Sequence, residues 1–133
     1  MFLLDTSVLT RLSAPPILRR IEELDGEGLA RTTMTDLEIG YSARNADEWD
    51  RLLVALGAFR RIDVEEHHFD RAKQVQRELA AQGLKGRKVP DLLIAAVAEA
   101  TSLTVVHYDA DFDHIAIVTG QPTQWVVERG SID

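Results

Sequence analysis

Cysteine is absent from this sequence, which excludes disulfides, thiolate zinc sites and cysteine nucleophiles and leaves only oxygen or imidazole to hold a metal. Long apolar runs are missing as well. Nothing approaches the roughly 20 continuous apolar residues that span a bilayer, and the start lacks the basic, apolar, small-residue order of a signal peptide. The expectation is a cytoplasmic protein with no membrane contact. Positive charge is scarce: 15 Lys and Arg stand against 22 Asp and Glu, a net charge of -7, which argues against broad, nonspecific nucleic-acid binding. Arg60-Arg61 and Lys85-Gly86-Arg87-Lys88 are the local exceptions. What remains is 45% hydrophobic and 28% charged in 133 residues, ordinary for a soluble globular chain and suited to a single domain, 1–133, around one core.

Periodicity divides the chain into alternating strands and helices. Residues 2–4 read as a short buried strand, and Pro15-Pro16 opens an amphipathic helix carrying Ile17, Leu18, Ile21 and Leu24, stopped by Gly26 and Gly28. Leu29 to Met34 reads as a strand. Thr35 then serves as N-cap of a helix with Leu37, Ile39 and Tyr41, and a further helix bears Trp49, Leu52, Leu53 and Leu56 up to Gly57. After a strand near Arg61–Val64, residues 66–82 place Phe69, Ala72, Val75, Leu79 and Ala80 on one stripe. A nearly all-apolar helix runs from Val89-Pro90-Asp91 to Ala100, followed by a strand from Leu103 to His107 and a last one at Trp125-Val126-Val127. The polar tail Glu128–Asp133 is expected to fray. This alternation implies an α/β fold with a mostly parallel sheet covered on both faces, in which ligands bind at the carboxyl ends of the strands.

Acids sit at the ends of these apolar runs: Asp5, Glu38, Asp91, and Asp109 with Asp111. Each has a structural explanation. Asp5-Thr6-Ser7 suits a helix N-cap or turn. Thr35-x-x-Glu38 matches a capping box, and Asp91 suits a helix first turn. Gathered at strand ends, however, the acids would repel one another and raise each other's pKa, so a hard divalent cation is the economical compensation. Other chemistries fit less well. The Asp109-Ala110-Asp111-Phe112-Asp113 segment imitates the start of a calcium loop, but His114 and Gly120 stand where glycine and glutamate are required. A haloacid-dehalogenase-type phosphatase would need a second aspartate where Ser7 stands. The four histidines have no zinc-ligand spacing, Gly83 and Gly86 form no P-loop, and no nucleophile elbow is present.

Taken together, Asp5-Thr6-Ser7, Thr35-x-x-Glu38-x-Gly40, Pro90-Asp91-Leu92-Leu93-Ile94-Ala95-Ala96 and Tyr108-Asp109-Ala110-Asp111-Phe112 resemble the PIN-domain proteins of the VapC toxin family, in order and over nearly the full length. The resemblance implies a three-layer α/β/α sandwich and an endoribonuclease, dependent on Mg²⁺ or Mn²⁺, that cuts structured RNA such as tRNA or rRNA. It also implies a VapB-type antitoxin and a homodimer. Position by position, Asp5, Glu38, Asp91 and Asp109 correspond to the catalytic acids, with Asp111 as a further metal ligand beside Asp5, Asp91 and Asp109. Thr6 or Ser7 corresponds to a hydroxyl that steadies the first aspartate, and Arg87 is a candidate phosphate contact. Two other classes stay open at this point: a catalytically silent PIN-like binding module, and a receiver-type phosphoacceptor domain.

Overall fold

The computed structural model describes residues 1–84 and 88–132. Five short strands, β1 (Phe2–Leu4), β2 (Leu29–Thr32), β3 (Arg60–Ile62), β4 (Thr104–His107) and β5 (Thr123–Trp125), form one sheet in the order β3-β2-β1-β4-β5. Every pairing is parallel. Among the described residues seven α-helices connect them: α1 (Thr6–Leu9), α2 (Pro15–Leu24), α3 (Thr33–Tyr41), α4 (Ala46–Leu56), α5 (Glu66–Ala81), α6 (Val89–Thr101) and α7 (Asp111–Thr119).

Successive strand residues point to opposite faces, so a parallel sheet must be apolar on both. That division is visible in the core. Leu3, Ala30 and Val105 join Ala72, Val75 and Leu79 of α5, Leu92–Ala98 of α6, and Phe112 and Ile115 of α7. Their neighbours Leu4, Leu29 and Val106 face the other way, onto Val8, Ile17, Ile21, Ile39 and Leu56 of α1 to α4. The result is the three-layer sandwich. Helix α6 is buried without interruption from Asp91 to Ala98, as its near absence of polar residues requires. No helix among the described residues is long and apolar enough to cross a membrane.

Several local expectations are corrected. β2 ends at Thr32, which itself caps α3 by accepting from the Thr35 N–H at 3.2 Å; Thr35 is therefore helical and not the cap. On α5, Phe69 is 51% exposed, and the inward position is taken by His68, whose Nδ1 accepts from the Glu65 N–H at 2.8 Å. The run near Arg61 forms the sheet edge, β3, so no aspartate ends a central strand there as a receiver domain would need. Helix α7 was not anticipated, because Asp111 and Asp113 in its first turn read as loop residues although they suit the positive end of a helix dipole. The final strand lies two residues earlier than expected. Nor is the tail frayed through residue 132: the Tyr108 hydroxyl donates to the Ile132 carbonyl at 2.7 Å and accepts the Gly130 N–H at 3.0 Å.

Candidate functional site

In a sheet of this order β1 is central, with chain connections leaving to opposite sides, and the crevice at the carboxyl ends of β1 and β4 is where an α/β fold binds ligands. Asp5 follows β1 directly, and Asp109 follows β4 after one intervening residue, Tyr108. Glu38 arrives on α3 after β2, and Asp91 on the first turn of α6. Pro90, at the start of α6, costs no hydrogen bond because N–H groups there have no helical partner. A cavity of about 250 Å³ opens at this point, and Asp5, Glu38, Asp91 and Asp109 all line it, together with Thr6, Ser7, Thr10, Arg11, Lys88 and Tyr108. Acids scattered over more than a hundred residues of sequence thus share one cleft.

The two oxygens of Asp5 do different things. Oδ2 caps α1, accepting the Ser7 N–H at 3.0 Å and the Ser7 hydroxyl at 2.5 Å. Oδ1 is buried without a hydrogen-bond partner. The capping and ligating readings of this residue are therefore compatible. Ser7 Oγ in turn accepts the Tyr108 N–H at 2.9 Å, tying the end of β1 to the end of β4. Thr6 serves a different acid: its hydroxyl donates to Glu38 Oε1 at 2.7 Å while contacting the Thr35 hydroxyl at 2.9 Å. Since Thr32 caps α3, Glu38 lies too deep in the helix to return to the cap, and the capping-box reading is overturned. The α3 start is further fixed to β2 by the Arg31–Asp36 ion pair at 2.6 Å.

Asp91, Asp109 and Asp111 each bring a carboxylate oxygen within 4.8 Å of the others. Among them stands a cation of the chain itself. Lys88 Nζ lies 2.5 Å from Asp109 Oδ2, 3.6 Å from Asp91 Oδ2 and 3.9 Å from Asp111 Oδ2. Asp109 Oδ1 accepts the Asp111 N–H at 2.9 Å, and the Asp109 N–H donates to Nδ1 of buried His107 at 3.3 Å. Arg87, the expected phosphate contact, lies outside the described residues.

These environments separate the acids electrostatically. Burial pushes the Asp5 carboxyl up to about 6 against the opposing Ser7 hydrogen bonds, with help from the Glu38 and Asp109 charges. Asp91 is raised further, first by burial and then by the Asp5 charge. Burial also acts upward on Asp109, but the hydrogen bonds from Lys88 and the Asp111 N–H outweigh it and hold Asp109 below the usual range. Burial lowers His107 to about 4, so at neutral pH it is uncharged and able to accept. Lys88 is held upward by its hydrogen bond to Asp109.

The residues fit a hard divalent cation. Two buried carboxylate oxygens, Asp5 Oδ1 and Asp91 Oδ2, have no hydrogen-bond partner, and an ammonium already stands among Asp91, Asp109 and Asp111. An all-oxygen donor set of this kind suits Mg²⁺ or Mn²⁺. A second group, Glu65, His67 and His68, also brings ligand atoms within 4.8 Å, but His68 Nδ1 is already engaged as a cap.

Ser7 gives a direct test of this positioning. Ser7→Ala removes the hydroxyl that donates to Asp5 and accepts from Tyr108, so it is expected to cost about 1–3 kcal/mol of stability, with a larger loss at the site than in the fold. Chemical denaturation and a metal titration check this; unchanged metal affinity would show that the hydroxyl does not orient Asp5.

Comparison with known proteins agrees with the architecture. A family model described as the PIN domain matches residues 2–118. Ribonuclease VapC51 of Mycobacterium tuberculosis is 59% identical over 133 residues, covering 99% of this chain and 97% of its own. Ribonuclease VapC18 of the same organism is 42% identical, covering 98% of each. Among solved structures, VapBC2 from Rickettsia felis bound to a promoter DNA fragment matches with a TM-score of 0.78 at 19% identity, over 93% of this chain and 97% of that one. VapBC-5 from Mycobacterium tuberculosis matches at 0.63 and 26%, over 92% and 94%.

Proposed function

Because this chain belongs to the PIN-domain family, and within it to the VapC group, we propose that it is a metal-dependent endoribonuclease acting as the toxin of a toxin-antitoxin pair. The observation that carries the reading is the convergence of Asp5, Glu38, Asp91 and Asp109 on one cavity. The likeness to two ribonucleases, VapC51 and VapC18, along essentially the whole chain supports RNA as its substrate class. The presence of every one of these acids speaks against a silent binding module.

In this reading Asp5 Oδ1, Asp91, Asp109 and Asp111 hold Mg²⁺, with Mn²⁺ as a substitute. Bound there, the ion supplies a water of lowered pKa and neutralises charge building on the phosphate oxygens. The chain's own part is positioning. Ser7 fixes the Asp5 carboxylate through Oδ2 and leaves Oδ1 without a hydrogen-bond partner, and Thr6 holds Glu38 through Oε1, so that this carboxylate can take a proton from the reacting water. Lys88 and Arg11, both lining the cavity, attract the phosphate in a chain that is otherwise strongly acidic. Direct hydrolysis needs no ribose 2′-hydroxyl and leaves a 5′-phosphate and a 3′-hydroxyl.

The partners proposed are structured RNA, tRNA or rRNA, and a VapB-type antitoxin; VapBC complexes are among the solved neighbours. An arginine from such an antitoxin would find the carboxylate pocket a bidentate partner. Residues 1–133 form a single nuclease domain in this proposal and assemble as a homodimer. Mapping RNA ends after brief incubation with Mg²⁺ tests it. Cleavage lost in EDTA, with 5′-phosphate products, is the expected result; 2′,3′-cyclic phosphate ends, or undiminished cleavage in EDTA, would refute it.

A further inference from the structure

We infer that a second cavity, immediately beside the carboxylates, is a nucleotide subsite that takes an unpaired base of the RNA next to the scissile phosphate. The inference rests on the ribonuclease reading and extends it to substrate recognition. The cavity measures about 350 Å³ and shares Tyr108 and Asp109 with the acidic cleft, so one continuous strand can occupy both. Its volume falls in the range of small-molecule sites. The rest of its wall is Ala110, Trp125, Arg129 and Gly130.

The chemistry of that wall suits a base. Tyr108 and Trp125 meet edge to face, 5.5 Å apart at 86°, and the Arg129 guanidinium lies 5.5 Å above the Trp125 ring. On the other side of the boundary the Arg11 guanidinium lies 5.1 Å from the Tyr108 ring centre. Aromatic rings alternating with planar cations are a stacking platform, on which each base gains about 1–3 kcal/mol with little regard to sequence. The polar atoms of both rings are already engaged: the Tyr108 hydroxyl with Ile132 and Gly130, the Trp125 Nε1–H with Asp113 Oδ2 at 3.2 Å. With those edges engaged, the wall offers a ligand apolar ring surface and the guanidinium planes stacked on it. The ordered tail is part of the device, since Tyr108 holds residues 130–132 and thereby Arg129 in place. Unpaired bases are the form in which RNA presents its faces to such a wall, and a chain of net charge -7 needs its affinity concentrated at a few points like this one.

Trp49 and Trp125 are the only tryptophans, so a Trp49→Phe background makes emission report on Trp125 alone. Unstructured six-nucleotide RNA and 5′-AMP, titrated in EDTA to prevent cleavage, are expected to quench it saturably. Arg129→Ala, at an exposed position, should weaken RNA binding about tenfold, and with Mg²⁺ should raise KM while leaving kcat within about twofold. Arg129→Lys restores charge without the plane and should remain weakened. Absent quenching, or RNA affinity unchanged in Arg129→Ala as read by anisotropy, overturns the subsite even if the protein cleaves RNA. Quenching with the Arg129 effect intact, in a protein that cleaves no RNA, would uphold the subsite and remove the nuclease reading instead.

Discussion

Asp5→Asn is expected to reduce RNA cleavage by a hundredfold or more while raising the melting temperature of the metal-free protein by several degrees. Both effects come from one carboxylate. The amide oxygen can still accept from Ser7, so the α1 cap survives, but the cavity loses a charged ligand oxygen. In the metal-free fold that charge is a burden: Asp5 is 2% exposed and its carboxyl is raised from 3.8 to about 6. A carboxyl raised on folding takes up protons more readily in the folded state, so its penalty is absent below about pH 4. The penalty grows as pH rises and is complete above about pH 6, reaching up to about 3 kcal/mol. Thermal melts of both proteins in EDTA should therefore differ most at pH 7–8 and converge near pH 4. Added Mg²⁺ should reverse the ranking by stabilising only the wild type. If Asp5→Asn is less stable than wild type at pH 7.5 in EDTA, the electrostatic description of the cluster is wrong.

Lys88→Met is expected to tighten Mg²⁺ or Mn²⁺ binding about tenfold and to destabilise the metal-free protein. The Lys88 ammonium lies within 3.9 Å of Asp91, Asp109 and Asp111, hydrogen-bonds Asp109 and offsets the charge of all three in the metal-free protein. A divalent cation entering the same space must displace it. Removing it relieves that competition, worth about 1.4 kcal/mol for a tenfold change. The destabilisation stays near 1 kcal/mol, because the Lys88 side chain is 59% exposed and solvent screens its pairs. Catalysis need not follow affinity, since the same ammonium is a phosphate contact in the proposed reaction: higher metal affinity with higher KM for RNA is the predicted combination. Isothermal titration with Mn²⁺ reads the first quantity, and weaker binding by Lys88→Met would instead make the lysine a part of the metal site.

What could be read from the sequence was governed by how local the determining interaction is. The strand-helix alternation, the buried α6 and the apolar faces follow from hydrophobic period, and the structure reproduces them. The convergence of Asp5, Glu38, Asp91 and Asp109 was foreseen because strand ends meet in a parallel sheet. Where two local signals competed, pattern reading chose wrongly: Thr32 and Thr35 are both good caps, and only the end of β2 decides between them. The stripe on α5 holds at Ala72, Val75 and Leu79 but misses at its two ends, where His68 turns inward to cap while Phe69 points out, and where Ala80 is exposed. Lys88 was legible only as part of the basic run Lys85-Gly86-Arg87-Lys88, and Arg11 left no readable signal as a site residue, because a single cation has no period and the elements it meets lie far away in sequence. Tyr108 belongs to the Tyr108-Asp109-Ala110-Asp111-Phe112 motif, but its hold on the tail joins residues 22–24 positions apart and is invisible to a local pattern. The gathered acids themselves pointed to a hard divalent cation; the resemblance supplied RNA as the substrate class, which spacing alone does not.

The central claim is that acids remote in sequence form one cation site, and Mn²⁺ binding followed by loss of the free-ion electron paramagnetic resonance signal tests it most directly. Wild type should bind Mn²⁺ saturably, and Mg²⁺ should compete. Asp5→Asn and Asp91→Asn, changed 86 positions apart, should each abolish the same binding while remaining folded. Undiminished Mn²⁺ binding in either variant, or none in the wild type, would contradict the account.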